Sequence, residues 1–352
     1  MLQKEKGVKI YLQEMIEDLR FENLPLNWVS FDFKTFSKTK TLWDYQENAL
    51  RNAVKVLWKY YEDFVNYQKY ESLDINKERK RKFYEWYKNN GFDSKNLKID
   101  FEFDENSKLL KLLEDYYPIE ESSFGRNKKK KFRISYENFI NRMCFWMATG
   151  SGKTLVIVKL IQILRELIKR EEIPPNDILI LTHRDDLIEQ LKQHISEFNY
   201  ANFHDIFINL RSLKEYDIVK REHPSLFREK EITVFYYRSD NLSDEQKEKI
   251  IDFKNYDNDG KWYIFLDEAH KGDKEESKRQ HIYSILSRNG FLFNFSATFT
   301  DSRDIITTAF EFNLSSYVKE GYGKHILNVK EDHGDISNRV NSLGVYSCLE
   351  YL

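Results

Sequence analysis

Five short apolar runs constrain this chain more than any other feature: RMCFWMA at 142–148, DILILT at 177–182, ITVFYY at 232–237, WYIFLD at 262–267 and FLFNFS at 291–296. Polar residues or glycine bound each of them, and helical periodicity follows the first two. TLVIVKLIQILRELIKR, residues 154–170, is apolar on most faces and stops before Pro174 and Pro175. DDLIEQLKQHISEF, residues 185–198, sets Leu187, Ile188, Leu191 and Ile195 at helical spacing. Continuous apolar strands alternating with helices predict an α/β fold, a parallel sheet with helices on both faces joined by right-handed crossovers. Ligands of such sheets bind beyond the carboxyl ends of the strands, so the residues that end each run carry the information about function.

Upstream of residue 140 the texture changes. LWDYQENALRNAVKVLWKYYEDFV spaces Leu42, Tyr45, Ala49, Val54, Leu57, Tyr61 and Val65 as an amphipathic helix. Residues 70–135 are mostly polar, with the basic runs KERKRK and NKKKK, and read as helices joined by exposed loops, the like charges forming a solvated or mobile surface. The expected organisation is a mostly helical N-terminal extension with a charged insertion over 1–137, an α/β lobe over 138–330 and a linker over 331–352. Lys and Arg number 56 against 58 Asp and Glu, so net charge does not argue for or against nucleic acid, and any such contact must rest on a local patch. Cys144 and Cys348 are too few for a disulfide framework or a zinc site. The aromatic share of 15% excludes a disordered chain. With no signal-peptide pattern and no apolar run near membrane-spanning length, the expected location is the cytoplasm, with no membrane contact.

The first run ends in Met147-Ala148-Thr149-Gly150-Ser151-Gly152-Lys153-Thr154. Gly150 and Gly152 permit torsions that turn successive N–H groups around a phosphate, and the following helix aims its positive end at the same anion. Lys153 supplies a charge for the β and γ phosphates of ATP, and the Thr154 hydroxyl is a ligand for Mg²⁺. Met147 stands where the strict pattern has glycine; the bland alternative is a glycine-rich turn. The fourth run ends in Asp267-Glu268-Ala269-His270. Two carboxylates at the end of an apolar strand are costly unless they meet a cation. Asp267 would hold Mg²⁺ and Glu268 would orient and deprotonate water; the alternative is a helix cap. The fifth run ends in Ser296-Ala297-Thr298, which alone would read as a cap or turn.

In this order the strings resemble the superfamily-two helicase and translocase ATPases: MATGSGKT their motif I, LDEAH motif II, SAT motif III. THRDDLIEQL at 182–191 looks like motif Ia of the restriction-enzyme branch, and the stretches DEAHKG and AFEFNLSSYVKEGYGKHI are similar to the translocating subunit of type III restriction enzymes. The resemblance implies a RecA-like first helicase lobe over much of residues 40–330. It implies that Gly150, Ser151, Gly152, Lys153 and Thr154 bind ATP, that Lys153, Asp267 and Glu268 are catalytic, and that Thr154 and Asp267 hold the metal. His270, Ser296 and Thr298 would couple nucleotide state to movement. Arg184 would touch the nucleic-acid backbone, although an exposed Arg at a helix start is also a common structural choice. Gln46 resembles the upstream glutamine that reads adenine, its alternative being a surface residue of an amphipathic helix.

These translocases work with two lobes, and the 54 residues after Thr298 are too few for a second lobe of about 150. The expectation is therefore a truncated or split motor lobe of a DNA-dependent ATPase from a restriction or phage-defence system. Its partners would be double-stranded DNA and a second helicase lobe or a modification and recognition subunit. The alternative is a non-motor ATP-binding module that pairs with a partner subunit.

Overall fold

A computed structural model of the chain describes residues 10–64, 73–93, 100–103, 108–122, 130–223, 226–267 and 274–322. One compact unit runs to Leu314 and a second begins at Ser315; the latter is described only as far as Tyr322. In the first unit seven strands form one sheet: β1 Arg142–Met147, β2 Asp177–Thr182, β3 Phe207–Ser212, β4 Glu231–Arg238, β5 Trp262–Asp267, β6 Phe291–Ser296 and β7 Thr308–Phe312. Their spatial order is β7-β1-β6-β5-β2-β4-β3, and every neighbouring pair is parallel. The helices used below are α1 Asp44–Tyr60, α2 Leu73–Asn89, α3 Lys153–Lys169, α4 Asp185–Asn202, α5 Tyr216–Glu222 and α6 Lys274–Leu286.

Alternation along the strands gives each face its own core. On one face Leu179, Leu181, Phe235, Trp262, Ile264, Leu266 and Leu292 cluster with Tyr216 and Val219 of α5 and with Ile282, Tyr283, Ile285 and Leu286 of α6. The other face carries paired aromatics in register. Phe265 stacks on Phe293 at 4.6 Å and Phe145 on Phe295 at 4.3 Å, while the Tyr60 ring of α1 meets Phe291 edge-on at 5.1 Å. Helices α1 and α3 pack over this face, and α1 also reaches β7. All five apolar runs are strands of this sheet, and the RecA-like α/β expectation holds.

Three features differ from the sequence reading. The outer strands β3 (FINLRS) and β7 (TAFEF) carry no continuous apolar run, because each has a neighbour on one side only and tolerates Asn209, Arg211 and Glu311. The segment read as helices and loops also contains a three-stranded antiparallel sheet, with Lys130–Ile134 between Asp100–Phe103 and Ile119–Ser122. Its register sets Glu102 opposite Lys131 and Glu120 opposite Arg133.

The basic run KERKRK is not simply a solvated face. It lies in α2, where Arg79 and Lys80 are buried. Arg79 pairs with Asp63 at 3.0 Å and lies over the Tyr61 ring, and Lys80 Nζ donates to the Asn138 carbonyl at 3.3 Å. Residues 127–129 of the second basic run lie outside the described residues.

Burial, reinforced by the positive charges of Arg142 and Arg288, lowers the Lys80 amine from its ordinary value to about 7. Between that value and the ordinary lysine range the unfolded chain binds more protons than the folded one, so this group makes stability rise with pH across the window. Lys80→Met removes the titration. Its melting temperature relative to wild type should be highest near about pH 6 and the difference should shrink toward about pH 10. Thermal melts at both ends check this, and a difference independent of pH would contradict it.

Candidate functional site

Strand β1 leads straight into a loop whose shape two glycines set. Gly150 has φ +81° and Gly152 φ +77°, left-handed torsions that side chains with a Cβ rarely adopt. Gly152 caps α3, so Lys153 and Thr154 open that helix, and both are buried. Lys153 Nζ lies 3.4 Å from the Ala148 carbonyl at the start of the same loop. The Ser151 hydroxyl is buried and has no hydrogen-bond partner among the described residues.

The sheet gathers the other strings around this loop. In the order β1-β6-β5-β2, four adjacent strands end at Met147, Ser296, Asp267 and Thr182. Their registers pair Ser296 with Trp146, Phe295 with Asp267, and Asp267 with Thr182. The glycine loop, the SAT turn, the buried carboxylate of Asp267 and the start of α4 therefore share one edge. Glu268 and His270 follow directly in sequence but lie outside the described residues.

Gln46 and Tyr45 join the site from α1. The Gln46 amide nitrogen donates to the Ser151 carbonyl at 2.8 Å, and its amide oxygen accepts from the Trp43 N–H at 2.9 Å. Gln46 is buried, so the reading as a surface residue of an amphipathic helix does not hold. The residues between α1 and β1, which include α2 and the antiparallel sheet, separate Gln46 from the loop in sequence only. The Tyr45 hydroxyl donates to the same Ser151 carbonyl at 2.7 Å. By pattern Tyr45 is one apolar position of the helix, and no sequence signal beyond its place beside Gln46 marks it as part of the site.

Ser296 Oγ donates to the Thr298 carbonyl at 2.7 Å and accepts the Thr298 N–H at 3.1 Å, a hydroxyl-capped turn at the strand end. The Trp146 indole donates to the Ala297 carbonyl at 2.9 Å and ties this turn to β1; the sequence does not announce that contact. Arg184 precedes α4, is exposed, and forms a two-pronged ion pair with Asp186, whose carboxyl it holds below the ordinary range by hydrogen bonding. Nearby, Arg238 Nη1 reaches Asp185 at 2.7 Å.

This donor set suits a phosphate anion with a hard cation. A loop bent by two left-handed glycines, a partnerless buried hydroxyl, a buried Lys and Thr at a helix start, and a buried carboxylate on the same edge match what a Mg-nucleotide requires. Residues 39–301 match the family model described as type III restriction enzyme, res subunit. No curated protein matches the chain.

A Cβ added at Gly152 would sit against the Gln46 amide nitrogen, well inside van der Waals contact. Gly152→Ala should destabilise the fold by about 1–2 kcal/mol from torsional strain, plus the displacement of Gln46. In the double variant with Gln46→Ala the clash is gone, so its loss should be smaller than the sum of the two single losses. Denaturant titration of the four proteins measures this, and strict additivity would rule out the contact.

Proposed function

The chain belongs to the family of the type III restriction enzyme res subunit, a helicase-like ATPase motor domain, and from that membership we propose that it is the ATP-binding motor lobe of a DNA-dependent translocase in a restriction or phage-defence system. The observation that carries this reading is the adjacency of four strand ends, which groups the glycine loop, the SAT turn, Asp267 and the start of α4 on one edge of the sheet.

In this reading Lys153, the buried Ser151 hydroxyl and the loop backbone at Gly150 and Gly152 hold the β and γ phosphates of ATP, and Gln46 reads adenine. Thr154 and Asp267 would hold Mg²⁺, which supplies charge neutralisation on the phosphates when bound. Glu268 takes the proton of the attacking water, as the carboxylate next in sequence to Asp267. Ser296, Thr298 and His270 pass the state of the site to a second body; the tie from Trp146 to Ala297 supports this, because it joins the SAT turn to the strand that carries the glycine loop. Arg184, exposed at the start of α4, touches the phosphates of duplex DNA. Residues 1–137 act as an extension to a lobe spanning 138–330, with 331–352, which lie outside the described residues, taken as a linker, and the lobe works in the cytoplasm with a second helicase lobe or a modification and recognition subunit. No helix among the described residues is long and apolar enough to cross a membrane.

Lys153→Ala should weaken Mg-ATP binding roughly 10- to 100-fold, because a charge-assisted contact is lost. Glu268→Gln should bind ATP as the wild type does and lose turnover. Titration with a fluorescent nucleotide and phosphate release with and without duplex DNA separate the two effects. Equal loss of binding in both variants would overturn the role assignment, and ATP binding with no DNA-dependent turnover in the presence of the partner subunits would favour a non-motor binding module.

A further inference from the structure

The Ser151 carbonyl lies between two left-handed glycines and receives two hydrogen bonds from α1, from the Tyr45 hydroxyl at 2.7 Å and from the Gln46 amide at 2.8 Å. The peptide bond it belongs to is trans, so the carbonyl and the Gly152 N–H point in opposite directions. Holding the oxygen against α1 therefore turns the Gly152 N–H away from α1, into the loop. An anion-binding nest depends on that orientation, because each N–H that faces elsewhere is one donor fewer for the phosphate. A loop with two glycines has the freedom to lose it, since glycine confers little torsional preference of its own.

The Tyr45 ring is itself held. It stacks on Phe312, the last residue of β7, at 4.3 Å and 15°, and the Phe312 carbonyl accepts the N–H of Ala148, the first residue of the loop, at 3.1 Å. Tyr45 thus bridges the end of β7 and the middle of the loop, while the backbone of Phe312 fixes the loop's beginning.

We propose that Tyr45 is a positioning residue for phosphate binding: its hydroxyl, braced by the stack on Phe312, pins the Ser151 carbonyl and so presets the Gly152 N–H for the anion. This deepens the ATP-site reading and rests on it. Tyr45 does not meet the base in this role, so its effect should be common to every ligand that carries the phosphates.

Tyr45→Phe keeps the ring and its stack and removes only the hydroxyl. Removing one hydrogen bond that presets a donor should weaken binding about three- to tenfold. The loss should be the same factor for Mg-ATP, Mg-GTP and inorganic tripolyphosphate, with the melting point of the free protein lower by at most a few degrees. Calorimetric titrations of the full chain with the three ligands measure it, with Lys153→Ala as reference. Two results would overturn the proposal while leaving the site intact: unchanged affinity for all three ligands, or a loss confined to ATP, which would make Tyr45 a determinant of base recognition. A melting point that collapses would make the hydroxyl a folding element and would equally overturn it. If wild type and Lys153→Ala bind alike or not at all, the ATP-site reading itself fails, and this inference falls with it.

Discussion

The backbone ladder that joins Arg142–Met147 to Phe291–Ser296, and Phe291–Ser296 to Trp262–Asp267, is parallel throughout. Parallel pairing sends every carboxyl end to the same edge, and a helix-lined crossover must follow each strand. That constraint gathers a glycine loop, a hydroxyl-capped turn and an aspartate that are far apart in sequence. It also keeps most of each central strand's interior apolar, so the polar groups of the site lie at the last residue of its strands. Asp267 shows the boundary: the five residues before it in its strand are buried and apolar, and the chemistry begins where the ladder ends.

The opposite edge of the sheet is polar as well, for a different reason. Arg142 begins β1 and is almost wholly buried, yet all its nitrogens are engaged, with Phe139 O at 2.9 Å, Asp304 at 3.1 Å and Ser284 Oγ at 2.7 Å. Burial pushes the Asp304 carboxyl up. For Asp301 burial acts the same way, but the adjacent Arg303 prevails and brings it down to about 2. Removing one partner of such a buried pair typically costs about 3–5 kcal/mol, whereas replacing both by apolar groups is often neutral. The arrangement therefore adds less to stability than to geometry: it fixes where β1 starts relative to α6, and hence where the glycine loop begins at the other end.

What could be read from the residues alone follows this division. The central strands were legible because burial on both faces demands runs such as WYIFLD, and the loop was legible because GSGKT combines two glycines with a Lys and a Thr at a helix start. FINLRS and TAFEF were not, since polar residues (Asn209 and Arg211, Glu311) interrupt each of them and leave too short a pattern to tell from a loop. DFEF, IEES and KKFRI are too short and too charged to stand out, and what makes them a sheet is a cross-strand register that spacing along the chain does not reveal. Gln46 could be singled out by its string but not placed. Its contact with Ser151 depends on the route of the intervening chain, and Tyr45 beside it looks like any core tyrosine of an amphipathic helix.

Helix Asp44–Tyr60 has a consequence for how the protein is made. Part of its apolar face packs against the last strand of the sheet, and Asn52 donates to the carbonyl of Ala309, 257 residues further along the chain. A ribosome adding about 5–20 residues per second needs roughly 13–50 s to cover that distance. During that interval the helix is made while its strand does not yet exist. Nascent chains are thus exposed to chaperones and to one another through the same surface that later carries Tyr45 and Gln46 to the glycine loop.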